Sequence, residues 1–248
     1  MTMKITVITL FPAMIEPFIR ESIIKRAQEK GVVEIDVINL RDFARDSYGT
    51  VDDKPYGGGA GMILRGDVLR EALEKPQSGH VVLTSAKGQP YTQEKARELS
   101  KLKHLTILAG HYEGVDERIM DKINEEVSLG DFVMTGGEIT AAAIVDSVVR
   151  LLPGVLKKEE ATDIESFKTY SVEELIKVVG KHEALLALQG RGAHTVKLLE
   201  YPHYTRPEIL DGAHVPEVLL SGDHKKIEEW RLTMAFNETL LKRPDLLR

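Results

Sequence analysis

Cysteine is missing from all 248 residues. That excludes a disulfide framework and any thiolate metal site, and it fits a cytoplasmic protein. Long apolar runs are missing too. No stretch reaches the roughly 18 consecutive apolar residues a membrane helix requires, so no membrane partner is expected. The opening apolar stretch, Ile5 to Phe11, is broken by Thr6 and Thr9 and closed by Pro12. It reads as a buried strand, not a signal peptide. Positive charge is not in excess: 33 Lys and Arg stand against 39 Asp and Glu. A net charge of −6 argues mildly against a nucleic-acid partner, although affinity depends on where cations cluster. Neither G-x-G-x-x-G nor G-x-x-x-x-G-K-[ST] occurs, which disfavours a dinucleotide oxidoreductase.

What is present points to alternating strands and helices. Lys4–Phe11 is apolar and β-branched, and Ile15, Phe18, Ile19, Ile23 and Ala27 then recur at helical spacing up to Gly31. Val32–Leu40 alternates, with Val33, Ile35 and Val37 set against Glu34 and Asp36. Val81–Ser85 and Thr106–Ala109 read as further short strands, with helices near Gln93–Lys103 and Glu117–Glu126. Such alternation predicts an α/β fold, a mostly parallel sheet with helices on both faces. Glu138–Leu152 is apolar around most of its circumference, so it predicts a helix buried against the sheet or another subunit. Lys157–Lys168 reads as a charged linker. Ser171–Glu174 is a capping box opening a short helix over Leu175–Val179, and Ala184–Leu188 is a further apolar turn. Two amphipathic segments, Lys225–Ala235 and Ala235–Lys242, follow near the end of the chain.

Three glycine clusters carry the chemistry. Gly57–Gly61 suits either a loop wrapping a planar base or a flexible surface turn. Gly110–Gly114 follows a strand end, where ligands sit in open α/β sheets. There Tyr112 offers a flat face and Glu113 an acceptor, or else Glu113 and Asp116 are simply anions at a helix start. In Ser128–Glu138, glycines flank an apolar strand, Leu129–Met134, and a glycine pair precedes the buried helix. The residues alone stop at an adenine-bearing ligand in a doubly wound sheet.

These stretches resemble the TrmD family of bacterial tRNA (guanosine-37-N1)-methyltransferases. The resemblance rests on six ordered motifs: Thr50–Met62 (TVDDKPYGGGAGM), Gly110–Arg118 (GHYEGVDER), Ser128–Glu138 (SLGDFVMTGGE), Asp146–Val155 (DSVVRLLPGV), Tyr201–Pro207 (YPHYTRP) and Val218–His224 (VLLSGDH). It implies a deep trefoil knot, a homodimer with active sites at the subunit interface, and S-adenosylmethionine as methyl donor. It also implies a division into a knotted donor-binding domain over 1–157, a linker with the catalytic segment over 158–200, and a small helical tRNA-binding domain over 201–248. The cofactor pocket would comprise Gly110, Tyr112, Glu113 and Gly114, with Ser128, Leu129, Gly130, Asp131, Phe132, Val133 and Met134, then Gly136 and Gly137. Leu83, Thr84, Ser85 and Gly88 would line the adenine side. Two departures bear on contacts there: Ala86-Lys87-Gly88 where the family often has Pro-Gln-Gly, and Thr140 in place of a proline.

N1 of guanine carries a proton at neutral pH, so the reaction needs a base for it and a cation for the developing charge on O6. The resemblance aligns Glu165 with the family's linker aspartate, with Asp163 as the reserve base. It aligns Arg150 with the arginine that steadies the guanine oxygen. Without it, Glu165 would read as a solvated linker charge and Arg150 as a helix C-terminal cap. For the anticodon stem-loop of tRNA the resemblance points to Asp52, Asp53, Tyr56, Gly58 and Gly59, and to Glu200, Tyr204 and Arg206. The histidines show no metal-ligand spacing, so no metal ligand is assigned, although the family suggests an assisting Mg²⁺. Residues 168–197 form an insertion relative to the family. They read either as added phosphate contacts or a lid, or as a tolerated surface insertion. The rival functional readings are another knotted RNA methyltransferase and a non-catalytic RNA-binding relative.

Overall fold

The computed structural model describes residues 2–76, 79–157 and 165–248. The chain divides into two compact units, Met1–Lys157 and Lys158–Arg248. In the first, β1 (Met3–Thr9) leads through α1 (Pro12–Ile19) and α2 (Ser22–Glu29) to β2 (Val33–Asn39). A short hairpin, β3 (Asp52–Asp53) with β4 (Ile63–Leu64), precedes α3 (Gly66–Glu74). Then come β5 (His80–Pro90), α4 (Gln93–Leu99), β6 (His104–Ala109), β7 (Glu125–Ser128) and α5 (Glu138–Val149). The main sheet runs β2-β1-β6-β5-β7, and every neighbouring pair in it is parallel.

The strand periodicity of two explains the layers. Ile5, Val7, Leu105 and Ile107 face α1, α2, α4 and α5 and pack with Ile15, Ile24, Leu99, Ile144 and Val148. Ile8 and Leu108 point the other way, onto Val68, Leu69 and Ala72 of α3 and onto Ile119. The sheet is therefore covered on both faces, as the alternation of strands and helices predicts. At the edge, β2 keeps Val33 and Ile35 buried while Glu34 and Asp36 reach Lys4 at 3.6 and 3.0 Å.

The structure departs from the sequence reading in four places. The helix expected across Ile15–Ala27 is two helices. The chain turns at Arg20–Glu21, so that Ile15 and Ile19 of α1 and Ile24 and Ala27 of α2 all reach one core. The Gln28 side chain donates to the Ile19 carbonyl across this break, at 2.7 Å. Glu117–Glu126 is not one helix either: a 3-10 turn over Glu117–Lys122 gives way to β7. Sheet pairing overrides helix propensity there, and Glu125 meets His80 and Lys95, each at 2.7 Å. Leu129–Met134 is not a strand. The Ser128 hydroxyl donates to the Gly130 carbonyl and accepts from its amide, turning the chain and leaving Phe132 and Val133 54% and 88% exposed. Finally, the two segments expected near the end are one helix, because Ala235, Phe236 and Thr239 form a continuous buried stripe.

The second unit opens with β8 (Lys168–Ser171), α6 (Val172–Val179), α7 (Glu183–Gly190) and β9 (Thr195–Leu198). After β10 (Ile209–Leu210), β11 (Ala213–His214) and α8 (Glu217–Leu220) it closes with α9 (His224–Lys242). β8 and β9 pair antiparallel from Lys168↔Leu198 to Ser171↔Thr195, so residues 168–197 are closed at their base by their own ladder. The Ser171 hydroxyl caps α6 by accepting from the Glu174 amide at 3.4 Å. Val172, Leu175, Leu185, Leu188 and Val196 are buried together with Ala235, Phe236 and Leu247. Residues 168–197 thus supply much of this unit's core and are not a surface appendage. Among the described residues no helix is long and apolar enough to cross a membrane.

Candidate functional site

A cleft of about 1300 Å³ opens in the first unit at the carboxyl ends of β5, β6 and β7. Its floor is built from backbone that leaves no room for side chains. A Cβ on Gly110 would overlap the Thr84 carbonyl, and one on Gly137 would overlap the Thr84 hydroxyl. Spared that crowding, the Gly137 amide donates to the Gly110 carbonyl at 2.7 Å, and the Gly110 amide donates to Thr84 Oγ1 at 3.1 Å. The middle of β5, the end of β6 and the start of α5 are thereby knitted into one surface. Gly88 lies against the backbone of Glu126 and Val127 just as closely, which ties the bend of β5 to β7.

The glycine-rich segment after β3 is held to the same wall. The Glu113 amide donates to the Met62 carbonyl at 3.1 Å, and the Glu113 side chain fills the place a Gly61 Cβ would take. Tyr112 sits at φ +57°, is 42% exposed and lines the cleft. At Gly114, φ is +135° and a Cβ would meet open space. A flat ring beside side-chain-free backbone suits a planar heterocycle with a polar edge.

Beneath this surface lies a buried polar layer. Glu138 Oε1 accepts from Thr9 Oγ1 at 2.8 Å, and its Oε2 stands 3.8 Å from His111 Nδ1. The His111 ring rests 5.0 Å from Phe11 and 4.6 Å from Tyr112. Charged pairs mark the rim. Arg65 forks onto Asp67 at 3.1 and 2.8 Å, and Arg118 forks onto Asp116 at 2.9 and 2.6 Å. The hydrogen bond from Arg118 lowers the Asp116 carboxyl to about 2.

Of the residues aligned with the cofactor pocket, Leu83, Thr84, Ser85, Gly110, Tyr112, Glu113, Gly114, Ser128, Leu129, Phe132, Val133, Met134, Gly136 and Gly137 line the cleft. Gly88, Gly130 and Asp131 do not. Asp53 and Tyr56 line it as well, with Tyr56 wholly exposed, whereas Asp52, Gly58 and Gly59 lie outside the lining. Arg150 is the C-cap of α5, its amide donating to the Asp146 carbonyl at 3.1 Å, and it too is outside the cleft lining. Glu165 belongs to the second unit, in the turn ahead of β8, where its carbonyl accepts from the Lys168 amide at 3.2 Å. Asp163 lies outside the described residues. In the second unit Glu200 faces His203 at 3.3 Å, Tyr204 is half-exposed beside Trp230, and Arg206 is exposed. Among the described residues no group of three or more His, Asp or Glu is placed to hold a metal ion, so the Mg²⁺ expectation finds no site.

Sequence reasoning passes over Thr9, His111 and Glu138. The last two lie inside quoted motifs, yet nothing local marks them as buried partners, and Thr9 looks like any strand threonine.

Comparison with known proteins agrees with the geometry. A family model described as tRNA (Guanine-1)-methyltransferase TrmD matches residues 3–248. A protein of Anoxybacillus flavithermus named tRNA (guanine-N(1)-)-methyltransferase is 46% identical across 99% of this chain and 91% of its own length. Proteins of the same name from Desulfitobacterium hafniense and Bacillus subtilis are 46% and 45% identical. They are covered over 84% and 93% of their lengths, against 98% and 99% of this chain.

Proposed function

Because the chain belongs to the tRNA (guanine-1)-methyltransferase TrmD family, we propose that it methylates N1 of guanosine 37 in tRNA, with S-adenosylmethionine as donor. The family match over nearly the whole chain carries this reading, and the cleft supports it. The space at the strand ends, the half-exposed Tyr112 ring and the crowded glycine floor fit an adenine-bearing donor, with Leu83, Thr84, Gly110 and Gly137 against it. When bound, the donor supplies a methyl group activated on a positively charged sulfur.

The chain's own residues then prepare the nucleophile. The Glu165 carboxylate takes the proton from N1, and the electron pair left on nitrogen forms the new bond to the methyl carbon as that carbon's bond to sulfur breaks, its pair staying on sulfur in S-adenosylhomocysteine. The Arg150 guanidinium holds O6, where negative charge gathers as that proton leaves. Asp163 is the reserve base. Asp52, Asp53, Tyr56, Gly58 and Gly59 approach the target base, while Glu200, Tyr204 and Arg206 of the second unit meet the anticodon stem-loop.

Two structural readings accompany the activity. The chain works as a homodimer whose active sites combine both copies. Exposure of Met14, Phe132, Val133 and Ile139 on the first unit supports this, since each would gain from burial against a second copy. The chain is knotted in the first unit, a reading that the family match supports. The division into a donor-binding domain over 1–157, a catalytic linker over 158–200 and a tRNA-binding domain over 201–248 belongs to the same reading, with residues 168–198 sharing one core with α9.

The test is methyl transfer from labelled S-adenosylmethionine to tRNA transcripts carrying guanosine or adenosine at position 37. Guanosine-dependent transfer by the wild type, lost in Glu165→Gln and kept in Asp163→Asn, is the expected result. Transfer that survives Glu165→Gln but not Asp163→Asn moves the base two residues upstream. A folded wild type that transfers nothing sinks the reading.

A further inference from the structure

The mechanism leaves one buried acid unused. Glu138 is 2% exposed at the first position of α5. An acid there would complement the helix dipole equally well from solvent, so its burial, which costs free energy, calls for another reason. Its carboxyl group reaches two other elements. Oε1 accepts from Thr9 at the end of β1, and the Thr9 hydroxyl also accepts from the Phe11 amide at 2.9 Å. Oε2 approaches His111, which follows β6 and whose buried Nδ1 has no hydrogen-bond partner among the described residues. Gly136 passes so close that a Cβ there would overlap both Glu138 Oε2 and His111 Nδ1. One side chain thus braces three strand and helix ends whose neighbours, Gly110–Gly114 and Gly136–Gly137, form the cleft wall.

We propose that Glu138 is a positioning residue: with Thr9 and His111 it sets these two loops for the methyl donor without touching it. The proposal rests on the reading of the cleft as the donor site. It separates donor affinity from the chemical step, because neither Glu165 nor Arg150 lies in the braced segments.

The experiment measures S-adenosylhomocysteine binding by calorimetry and both Michaelis constants for the wild type, Glu138→Ala, Glu138→Gln and Thr9→Val. Loss of a buried hydrogen bond should raise the donor KM and Kd roughly tenfold in Glu138→Ala and Thr9→Val. The tRNA KM and the kcat at saturating donor should stay within about twofold, because only ground-state placement of the donor changes. Glu138→Gln should remain within about threefold of wild type, since its carbonyl still accepts from Thr9 and its amide can donate to His111 Nδ1. If Glu138→Ala does not fold, Thr9→Val cuts the same bond from the other side. A folded Glu138→Ala or Thr9→Val with unchanged donor KM overturns the proposal, as does a loss shared equally by donor and tRNA. A folded wild type that fails to bind S-adenosylhomocysteine overturns the cleft reading itself.

Discussion

Gly110, Gly136 and Gly137 in the first unit are hemmed in by Thr84, His111 and Glu138, and a methyl group on any of them would overlap a neighbour. In the second unit Gly180, Gly192, Gly212 and Gly222 would each carry a Cβ into open space, and all four have positive φ. The first set exists for what it makes room for and the second for how it bends the chain. The first unit makes its site from backbone stripped of side chains. The second makes its core from side chains, with Phe236 packed among Val172, Leu175 and Leu185. A substitution in the crowded glycine floor should therefore damage function, and one in the packed core around Phe236 should damage folding.

The largest expected effect tests the first half of that contrast. In Gly137→Ala the new methyl must displace Thr84 Oγ1 or the Gly110 amide, moving the cleft floor by a large fraction of an ångström. Donor binding and methyl transfer should fall by roughly 100-fold, the scale of an ångström's misplacement at a reacting centre. Gly192→Ala, strained only by φ +78°, should cost about 1 kcal/mol of stability and leave donor binding alone. Calorimetry with S-adenosylhomocysteine beside thermal melts separates the two. Equal loss of binding in both variants would break the contrast.

The second expected effect runs the other way. Phe236 is fully buried, and Phe236→Ala should cost about 3–5 kcal/mol, enough to unfold the second unit. Donor binding should survive, because every residue lining the cleft belongs to the first unit. Removing residues 168–197 should collapse the same core. Limited proteolysis reads this directly: a protected fragment ending near Lys157 that still binds donor is expected, and loss of both units together would refute independence.

Strands β1, β2, β5 and β6 were legible because buried faces impose a period that local sequence must carry. Ile5 and Val7, or Val33 and Ile35, have no other arrangement open to them. The loops were not, since Leu129–Met134 is apolar for reasons its own segment does not contain. α3 carries a stripe, Val68, Leu69 and Ala72, too short to stand out beside the glycine-rich loop that precedes it. The glycine floor was visible as glycine and Thr84 as an adenine-side residue, but nothing local shows that Thr84 packs against Gly110 and Gly137. Thr9 and Glu138 stand 129 residues apart, and only the parallel sheet brings them together. Likewise the capping box marks the helix that carries Leu175, while the helix over Glu183–Gly190 reads only as an apolar turn and Phe236, against which both pack, lies far along the chain. The roles proposed for Glu165 and Arg150 rest on resemblance alone, because neither residue lines the cleft.

The smallest effect sharpens the comparison with one chemistry in two settings. Arg118 and Asp116 in the first unit, and Arg243 and Asp245 in the second, form the same fork at 2.9 and 2.6 Å. Their carboxylates differ in exposure, 21% for Asp116 against 54% for Asp245. Both are lowered by the hydrogen bond from their arginine, Asp116 from 3.8 to about 2. A carboxyl held below its unfolded value contributes stability that is whole above that value and lost as pH falls through the folded one. Asp116→Asn should therefore remove a component of acid sensitivity between about pH 4 and pH 2, seen in denaturant melts across that range. Asp245→Asn should change the same melts less, because solvent screens the more exposed carboxylate. If both variants shift the acid limb equally, burial is not what distinguishes the two forks. Asp116 would then be an ordinary surface pair that happens to stand beside the cleft.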